Sequence, residues 1–508
     1  MKKLMKLLFH RCVVVAIGLL LQLFVIVATI LGFNEYFMEF YWVCIAFSVL
    51  AVLWIIGSKS NPAYKIAWII PILVFPIFGG LFYLLFGGSH LGKRTKAKMS
   101  SLNREMRKEL SGDFKAESLA ALGEEAVLHA HYLERSALAP VYGNTETKYF
   151  PLGEQKFEAM LAELKKAKKY IFLEYFIVEA GEMWDTILEI LLEKACSGVE
   201  VRMIYDDVGC LFTLPKDYAA RLEEAGIHCM AFNRFVPVLT LRLNNRDHRK
   251  LMIVDGKVGF TGGINLADEY INRKVKYGHW KDGGILLRGD AVWSMTVMFL
   301  SMWHLQRDEG EDVAWFRPEW EAYPAARGYA QPYTDSPLDE EPVGQTVYLN
   351  LINRAKKYVY IMTPYLIIDD AMTQALVAAA KSGVDVRIMT PHIPDKKIIF
   401  EVTRAHYETL LADGVKIYEY TPGFCHAKTF AVDDHFGVAG TVNMDYRSLF
   451  LHFEDGVLLF DQPSVLEIKE DFLTTQECCQ RVTLEECLAL PWWRQLLRDI
   501  LRIFAPLM

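Results

Sequence analysis

Two copies of one short motif hold the residues of this sequence whose types and spacing could do chemistry. The first copy places a histidine, a lysine, an aspartate and an asparagine at His248, Lys250, Asp255 and Asn265. The second copy repeats these residue types and intervals at His426, Lys428, Asp433 and Asn443. Both follow the pattern H-x-K-x4-D-x6-G-[GT]-x-N. One match would be a weak signal, but two matches of the whole pattern in one chain are a strong one.

The spacing predicts which side chains of the motif point the same way. The residues after each lysine are apolar and partly β-branched, which favours a β-strand. Side chains two positions apart in a strand share a face, so each histidine projects with its lysine. Two histidines, two lysines and two asparagines would form a cationic site without a metal. It suits a phosphoryl group, because lysine and asparagine hold the oxygens while one histidine attacks and the other donates a proton.

The two motif aspartates are expected to serve a different purpose. Each lies seven residues after its histidine and therefore points to the opposite face of the predicted strand, near the strand end. On this argument Asp255 and Asp433 are interpreted as turn or interface residues rather than as proton carriers.

Each motif lies toward the end of one half of a duplicated sequence. The Ala-Lys-Lys-Tyr of residues 167–170 recurs at 355–358, and the segment at 197–202 recurs with one change at 382–387. Segments of helical periodicity separate these strand-like runs, so each half is predicted as strand, helix, strand, helix, strand. The predicted fold class is α/β, with two repeats of a mixed sheet flanked by helices, joined near residue 330 in a pseudo-two-fold arrangement and preceded by transmembrane helices.

Uncharged apolar segments are concentrated at the N-terminus. Residues 12–33 and 40–58 are each long enough to cross a bilayer, which takes about 20 helical residues. A cleaved signal peptide is the less favoured interpretation of the first segment, because a second one follows at once. A third segment, 66–86, contains Pro71 and Pro76, which favours a re-entrant hairpin over a third span.

Charge is divided unevenly along the chain. Residues 1–110 carry 13 Lys and Arg against 4 Asp and Glu, whereas the remaining residues have a net charge of −16. The positive-inside rule places the basic flanks in the cytoplasm, and the basic segment indicates contact with anionic lipid headgroups or a solvated helix face. The acidic body offers no basic track for a nucleic acid. Nine cysteines without a C-x-x-C pair disfavour a zinc ribbon or a disulfide framework.

The paired H-x-K-x4-D motifs resemble those of the phospholipase D superfamily, over roughly residues 135–460. The apolar N-terminal segments, Asn61–Trp68, Asn245–His248 and the C-terminal tail resemble bacterial cardiolipin synthases in particular. Thr441 stands where many relatives have serine, a change expected to be tolerated. The resemblance implies four regions: a membrane anchor at 1–90, a basic juxtamembrane linker at 91–134, and phospholipase D-like domains at 135–330 and 331–508, the last with an amphipathic tail.

The resemblance implies a phosphatidyltransferase of the bacterial cell membrane, multi-pass, with its catalytic domains on the cytoplasmic face. It would convert two molecules of phosphatidylglycerol into cardiolipin and glycerol, with membrane lipids as its partners and without cofactor or metal. By this analogy the catalytic residues are His248, Lys250, Asp255, His426, Lys428 and Asp433, and the substrate-binding residues are Asn265 and Asn443. His248 would form a phosphohistidine intermediate, and His426 would act as acid and base.

An attacking histidine needs a carboxylate to orient it. Asp282 and Glu454 follow the two motif histidines by 34 and 28 residues and are the candidates, the alternative being ordinary surface acids. No Asp, Glu or His cluster with metal-ligand spacing is expected beside the motifs.

Other functions share these features. A phospholipase D-type hydrolase and a phosphatidylserine synthase would use the same motifs, whereas an endonuclease is disfavoured by the acidic body. An inactive membrane scaffold would have no need of two intact motifs. The C-terminal segment 492–504 is amphipathic and is predicted either to pack on the body or to lie in the bilayer interface.

Overall fold

The computed structural model describes residues 24, 27, 37–75, 83, 93–110, 116–234, 245–307, 310–319, 321–339 and 341–507. By their contacts they belong to two compact units. One unit comprises the described residues within 1–91, 233–245 and 503–508, and the other comprises those within 92–232 and 246–502.

The first unit contains helices α1 (Phe37–Gly57) and α2 (Pro62–Val74). Asn61 caps α2, because its side-chain oxygen accepts a hydrogen bond from the backbone N–H of Ala63 at 2.9 Å. Pro71 lies inside α2 and does not end it. The C-terminal Leu507 packs against the small core around Trp68, so the chain end belongs to this unit rather than to the second repeat.

The predicted anchor is covered only in part. Of residues 12–33 only Phe24 and Val27 are described, and of residues 76–86 only Tyr83. Within the described stretches of the chain, no helix has both the length and the hydropathy needed to cross a membrane. The multi-span anchor therefore stays a prediction.

The second unit is built on two sheets. The strands of the first sheet are β1 (Thr145–Phe150), β2 (Tyr170–Tyr175), β3 (Glu200–Asp206), β4 (His228–Phe232), β5 (Lys250–Val254), β6 (Val258–Gly262) and β8 (Gly284–Gly289). Their order is β1-β8-β6-β5-β2-β3-β4. Strands β2, β3 and β4 are parallel, whereas β5 runs antiparallel to both β2 and β6.

The second sheet repeats this order. Its strands are β9 (Tyr329–Asp335), β10 (Tyr358–Met362), β12 (Asp385–Pro391), β13 (Lys416–Tyr420), β15 (Thr429–Val432), β16 (Phe436–Gly440), β18 (Glu454–Phe460) and β19 (Cys479–Arg481). Read from β9, the order is β9-β18-β16-β15-β10-β12-β13-β19, which matches the first sheet strand for strand before β19 is added at the edge. The predicted duplication of an α/β unit with a mixed sheet is confirmed.

Helices and short strands complete the unit. The helices are α3 (Lys93–Leu110), α4 (Glu124–Ser136), α5 (Gly153–Leu164), α6 (Glu182–Cys196), α7 (Tyr218–Glu224), α8 (Val292–Gln306), α9 (Val343–Arg354), α10 (Asp370–Lys381), α11 (Lys397–Ala405), α12 (Tyr407–Ala412), α13 (Tyr446–Phe450), α14 (Pro463–Gln476), α15 (Leu484–Leu488) and α16 (Trp492–Phe504). The short strands are β7 (His279–Lys281), β11 (Leu366–Ile367), β14 (Gly423–Cys425) and β17 (Met444–Asp445). The helical segments predicted between the strand-like runs include α6 and α10.

Each half buries its own core, but the halves also exchange segments. Ile171, Met252 and Phe260 lie in the core of the first sheet, and the equivalent Val359, Phe430 and Val438 lie in that of the second. Strand β14 of the second half pairs with β7 of the first half, and Phe424 of β14 is buried in the first core. This exchange places the segment before the second motif strand against residues 279–281 of the first half, and an isolated bridge joins Asp247, before the first motif strand, to Phe453 of the second half.

Candidate active site

The motif histidines lie in extended segments that lead into the strands. Strand β5 begins at Lys250 and β15 at Thr429, so the prediction of a strand is right for the apolar residues and wrong for the histidines. The backbone N–H of His248 donates to the carbonyl of Phe453 at 2.9 Å, and that of His426 to the carbonyl of Lys281 at 2.6 Å. Each histidine is thereby held by backbone of the other half.

The side chains repeat this crossed arrangement. His248 Nδ1 lies 2.9 Å from both carboxylate oxygens of Glu454, which belongs to the second half. His426 Nδ1 lies 2.7 Å from Asp282 Oδ2, which belongs to the first half. Both carboxylates are fully buried. The two acids singled out in the sequence thus contact the histidines, and each contacts the histidine of the opposite motif.

Hydroxyl and backbone donors fix the carboxylates in turn. Glu454 accepts hydrogen bonds from Thr441 Oγ1 at 2.5 Å and from Ser448 Oγ at 2.7 Å. Asp282 accepts one from the N–H of Gly283 at 2.8 Å. Thr441, the residue that departs from the family pattern, therefore supplies a hydroxyl to the orienting acid, as serine would.

The two motif lysines are buried beside the histidines. Lys250 Nζ donates to the carbonyl of His248 at 2.6 Å, and Lys428 Nζ donates to the carbonyl of His426. Burial lowers the pKa of Lys250 to about 8 and that of Lys428 to about 7, against the pull of nearby carboxylates. The lysines provide positive charge close to both imidazoles.

The same surroundings favour neutral imidazoles in the ligand-free site. Burial, with the charges of Lys250 and Lys428, lowers the pKa of His248 well below its ordinary value. Burial and Lys428 lower the pKa of His426 to about 4, although Asp282 opposes this shift. A neutral imidazole can attack phosphorus, whereas a proton donor needs a bound anion to favour its charged form.

The two asparagines have different surroundings. Asn265 accepts a hydrogen bond from the N–H of Ile177 at 3.0 Å and donates to the hydroxyl of Tyr270, whose ring lies 5.7 Å from that of His426. Asn443 is buried, and its Oδ1 has no hydrogen-bond partner among the described residues.

The structure does not bring Asp255 and Asp433 to this centre. Both lie in turns with positive φ, 53° and 56°, beyond the far ends of β5 and β15. Asp255 accepts hydrogen bonds from the backbone N–H groups of residues 168–170, and Asp433 from those of residues 356–358. Asp255 lies five positions after Lys250, about 16 Å along the strand. The catalytic assignment implied by the motif is corrected to a structural one, as the face argument predicted.

Two rings beside the histidines were missed in the sequence. His452 lies 5.4 Å, centroid to centroid, from His248, and Trp280 lies 5.3 Å from His426. Each stands two residues before an orienting acid, which is the one signal that could have found them. Neither ring nitrogen of His452 has a hydrogen-bond partner among the described residues, and burial lowers its pKa to about 4.

His452 also corrects the expectation that no metal-ligand cluster would form. Nitrogens of His248 and His452 and an oxygen of Glu454 lie within 4.8 Å of one another. The buried Lys250 and Lys428 raise the local positive charge, which opposes a cation at this position.

Comparison with known proteins places these features in a family. A family model described as cardiolipin synthase, phospholipase D-like domain, matches residues 160–278 and 348–475, and one described as phospholipase D-nuclease N-terminal matches residues 46–88. The cardiolipin synthase of Halalkalibacterium halodurans is 33% identical, over 92% of this chain and 95% of its own. That of Geobacillus kaustophilus is 33% identical, over 96% and 98%.

Two further matches complete the comparison. An uncharacterized protein of Streptococcus mutans is 44% identical, over 90% of this chain and 99% of its own. The crystal structure of phosphatidylserine synthase from Haemophilus influenzae superposes with a TM-score of 0.56 and 14% identity, over 75% of this chain and 97% of that one. At that identity it shows the shared fold.

Proposed function

The chain belongs to the cardiolipin synthase family of the phospholipase D superfamily, and on this basis we propose that it transfers a phosphatidyl group from one phosphatidylglycerol to another, giving cardiolipin and glycerol. The crossed pairing of His248 with Glu454 and of His426 with Asp282 carries the proposal. Two oriented imidazoles flanked by buried lysines provide a nucleophile, a proton carrier and fixed positive charge for a phosphodiester.

In the first half-reaction, His248 attacks phosphorus through Nε2 while Glu454 holds its Nδ1. The bond between phosphorus and the headgroup glycerol breaks, and the glycerol oxygen takes a proton from His426. Lys250 and Lys428 neutralise the non-bridging oxygens, with Asn443 as a further contact. The anionic substrate raises the pKa of His426 and so favours the proton that it must donate.

In the second half-reaction, a hydroxyl of another phosphatidylglycerol attacks the phosphatidyl-imidazole. His426 accepts the hydroxyl proton, the nitrogen–phosphorus bond breaks, and His248 recovers its electron pair. Transfer rather than hydrolysis requires that the lipid hydroxyl outcompete water at this step.

The carboxylates support His426 as the proton carrier. Burial opposes ionisation of Asp282, but His426 and Lys428 outweigh it and hold the pKa of Asp282 below its usual value. An ionised Asp282 stabilises an imidazolium at His426. Burial raises the pKa of Glu454, so this acid stabilises charge on His248 less. Asp255 and Asp433 have a structural part in this proposal, because each connects its motif strand to the neighbouring strand.

We place the enzyme at the bacterial cell membrane, with its catalytic unit on the cytoplasmic face.

Incubation of the purified full-length protein with phosphatidylglycerol vesicles tests the function. We expect cardiolipin and glycerol in equal amounts without added nucleotide, measured by chromatography and mass spectrometry. The variant His435→Ala serves as a control and should keep this activity, because His435 is exposed and pairs with Asp461 away from the centre. Phosphatidic acid as the only lipid product would establish a hydrolase instead, and a requirement for serine and a nucleotide-activated lipid would establish a phosphatidylserine synthase.

A further inference from the structure

Helix α16 is oriented against the usual rule for a packed amphipathic helix. Its large apolar side chains cover an arc of roughly 140°, and they are exposed, with Trp492 at 74% and Leu496 at 50%. The apolar face of α16 consists of Trp492, Trp493, Leu496, Leu497 and Ile500. A helix packed on a soluble body normally buries such a face and exposes its charged residues.

The polar side of α16 is the side that binds the protein. Arg494 and Arg498 both pair with Glu401 of α11, at 2.5 Å and 2.8 Å, and Arg498 is buried. The two arginines lie on the side of the helix opposite the apolar face. These ion pairs hold α16 so that its apolar face points away from α11.

The start of α11 carries further exposed side chains, and it lies on the side of the active centre. Ile398 is 60% exposed and follows the exposed Lys396 and Lys397. Lys396 Nζ lies 5.7 Å from the ring of Tyr365, whose hydroxyl donates to Asp395. The ring of Tyr365 lies 6.4 Å from that of Phe424, which in turn lies 5.7 Å from the ring of His426, so this segment lies near the histidine centre.

We propose that the apolar face of α16, together with Ile398 and the adjoining lysines, docks the catalytic unit on the interface of an anionic lipid bilayer. The proposal rests on the proposed function, because it gives the surface a role in presenting membrane lipid to the histidine centre. The proposed surface would be a membrane contact in addition to the predicted N-terminal anchor.

The chemistry of the surface favours a bilayer as its occupant. Two adjacent tryptophans suit the headgroup region, where their amphipathic rings are enriched. Lys396, Lys397 and Arg502 are exposed and complement anionic headgroups such as that of phosphatidylglycerol. The nearness of Lys396 to the histidine centre, through Tyr365 and Phe424, would place the lipid surface beside the site that consumes its headgroups.

The test compares W492Q/L496Q with the control W315Q/L466Q in the full-length protein. The control removes a tryptophan and a leucine of similar exposure, 67% and 51%, from outside α16. Each protein is assayed on long-chain phosphatidylglycerol vesicles and on short-chain phosphatidylglycerol below its critical micelle concentration. We expect W492Q/L496Q to need roughly tenfold more vesicles for its half-maximal rate. Its rate on monomeric lipid should match that of the control.

A binding measurement separates this inference from the proposed function. Tryptophan fluorescence should be quenched less in W492Q/L496Q than in the control by vesicles containing brominated phosphatidylglycerol, even if no cardiolipin forms. Equal quenching and equal vesicle dependence in the two variants would overturn the proposal. A change in oligomeric state with unchanged vesicle dependence would assign the face to a second copy of the chain and would also overturn it.

Discussion

The two histidines sit in matching places of matching sheets, yet their neighbours differ. His248 has a glutamate partner that accepts hydrogen bonds from two hydroxyls, and the imidazole of His452 lies beside it. His426 has an aspartate partner, and the indole of Trp280 lies beside it. The shared strand order fixes where the two imidazoles stand, whereas the differing neighbours give them distinct electrostatic surroundings. The frame around the two imidazoles is therefore symmetric, whereas their immediate neighbours are not.

Position 441 illustrates how the halves diverged. In the first half the equivalent residue is Gly263, where an added Cβ would lie 2.1 Å from an oxygen of Asp282, so a side chain there would clash. In the second half Thr441 donates to Glu454. The two halves therefore accommodate the carboxylate beside the histidine in different ways. Gly263 leaves room for Asp282, whereas Thr441 donates a hydrogen bond to Glu454.

Substitution of either histidine should have the largest effect on the rate. If the two variants behaved alike, the difference between the surroundings of His248 and His426 would have no functional meaning. We expect His248→Ala and His426→Ala each to lose about three orders of magnitude or more in rate. Rapid quench with labelled phosphatidylglycerol should detect no covalent adduct in His248→Ala, because no other group attacks. His426→Ala should still form some adduct slowly. An adduct in His248→Ala alone would reverse the roles.

Neutralisation of the carboxylates tests the crossed pairing. We expect Glu454→Gln to slow formation of the adduct and Asp282→Asn to slow its breakdown as well as its formation, each by about 10³ to 10⁴. The reason is that Glu454 serves the nucleophile of the first motif, whereas Asp282 serves the proton carrier of the second. Single-turnover rates of both steps measure this. If Asp282→Asn affected the attack alone, each acid would serve the histidine of its own motif.

Much of this arrangement could be predicted from the sequence, because it depends on local pattern. The repeated segments predict the strand order of one half from the other, and the motif spacing predicts the face shared by each histidine and its lysine. The crossed pairing could not be predicted, since it depends on the exchange of β14 and on residue 453 meeting residue 248 across the halves. His452 and the exposed face of α16 also depend on tertiary contacts that no spacing encodes.

The dependence of rate on pH should show a smaller effect, which bears on the different neighbours of His248 and His426. Protonation of His248, whose pKa is held well below its ordinary value by burial and by the charges of Lys250 and Lys428, should remove the nucleophile and reduce kcat/KM on the acid side. Loss of charge at Lys428, whose pKa is lowered to about 7, should reduce it on the alkaline side. His452→Phe removes one titrating group beside His248 and should shift the acid limb by a few tenths of a pH unit with little change in maximal rate. Trp280→Phe is the matched control and should leave the limb in place.

Chelation should have the smallest effect. Although His248, His452 and Glu454 could approach a single ion, the hydrogen bonds of Glu454 to Thr441 and Ser448 and the neighbouring lysines favour the carboxylate as a partner of the imidazole. The lysines already supply the fixed positive charge that a metal would bring to a phosphodiester. We therefore expect the rate of cardiolipin formation to change less than about twofold after dialysis against EDTA. Loss of activity on chelation, with recovery on adding one divalent ion and no such response in His452→Asn, would instead make these three side chains a functional metal site and the asymmetry of the two halves its cause.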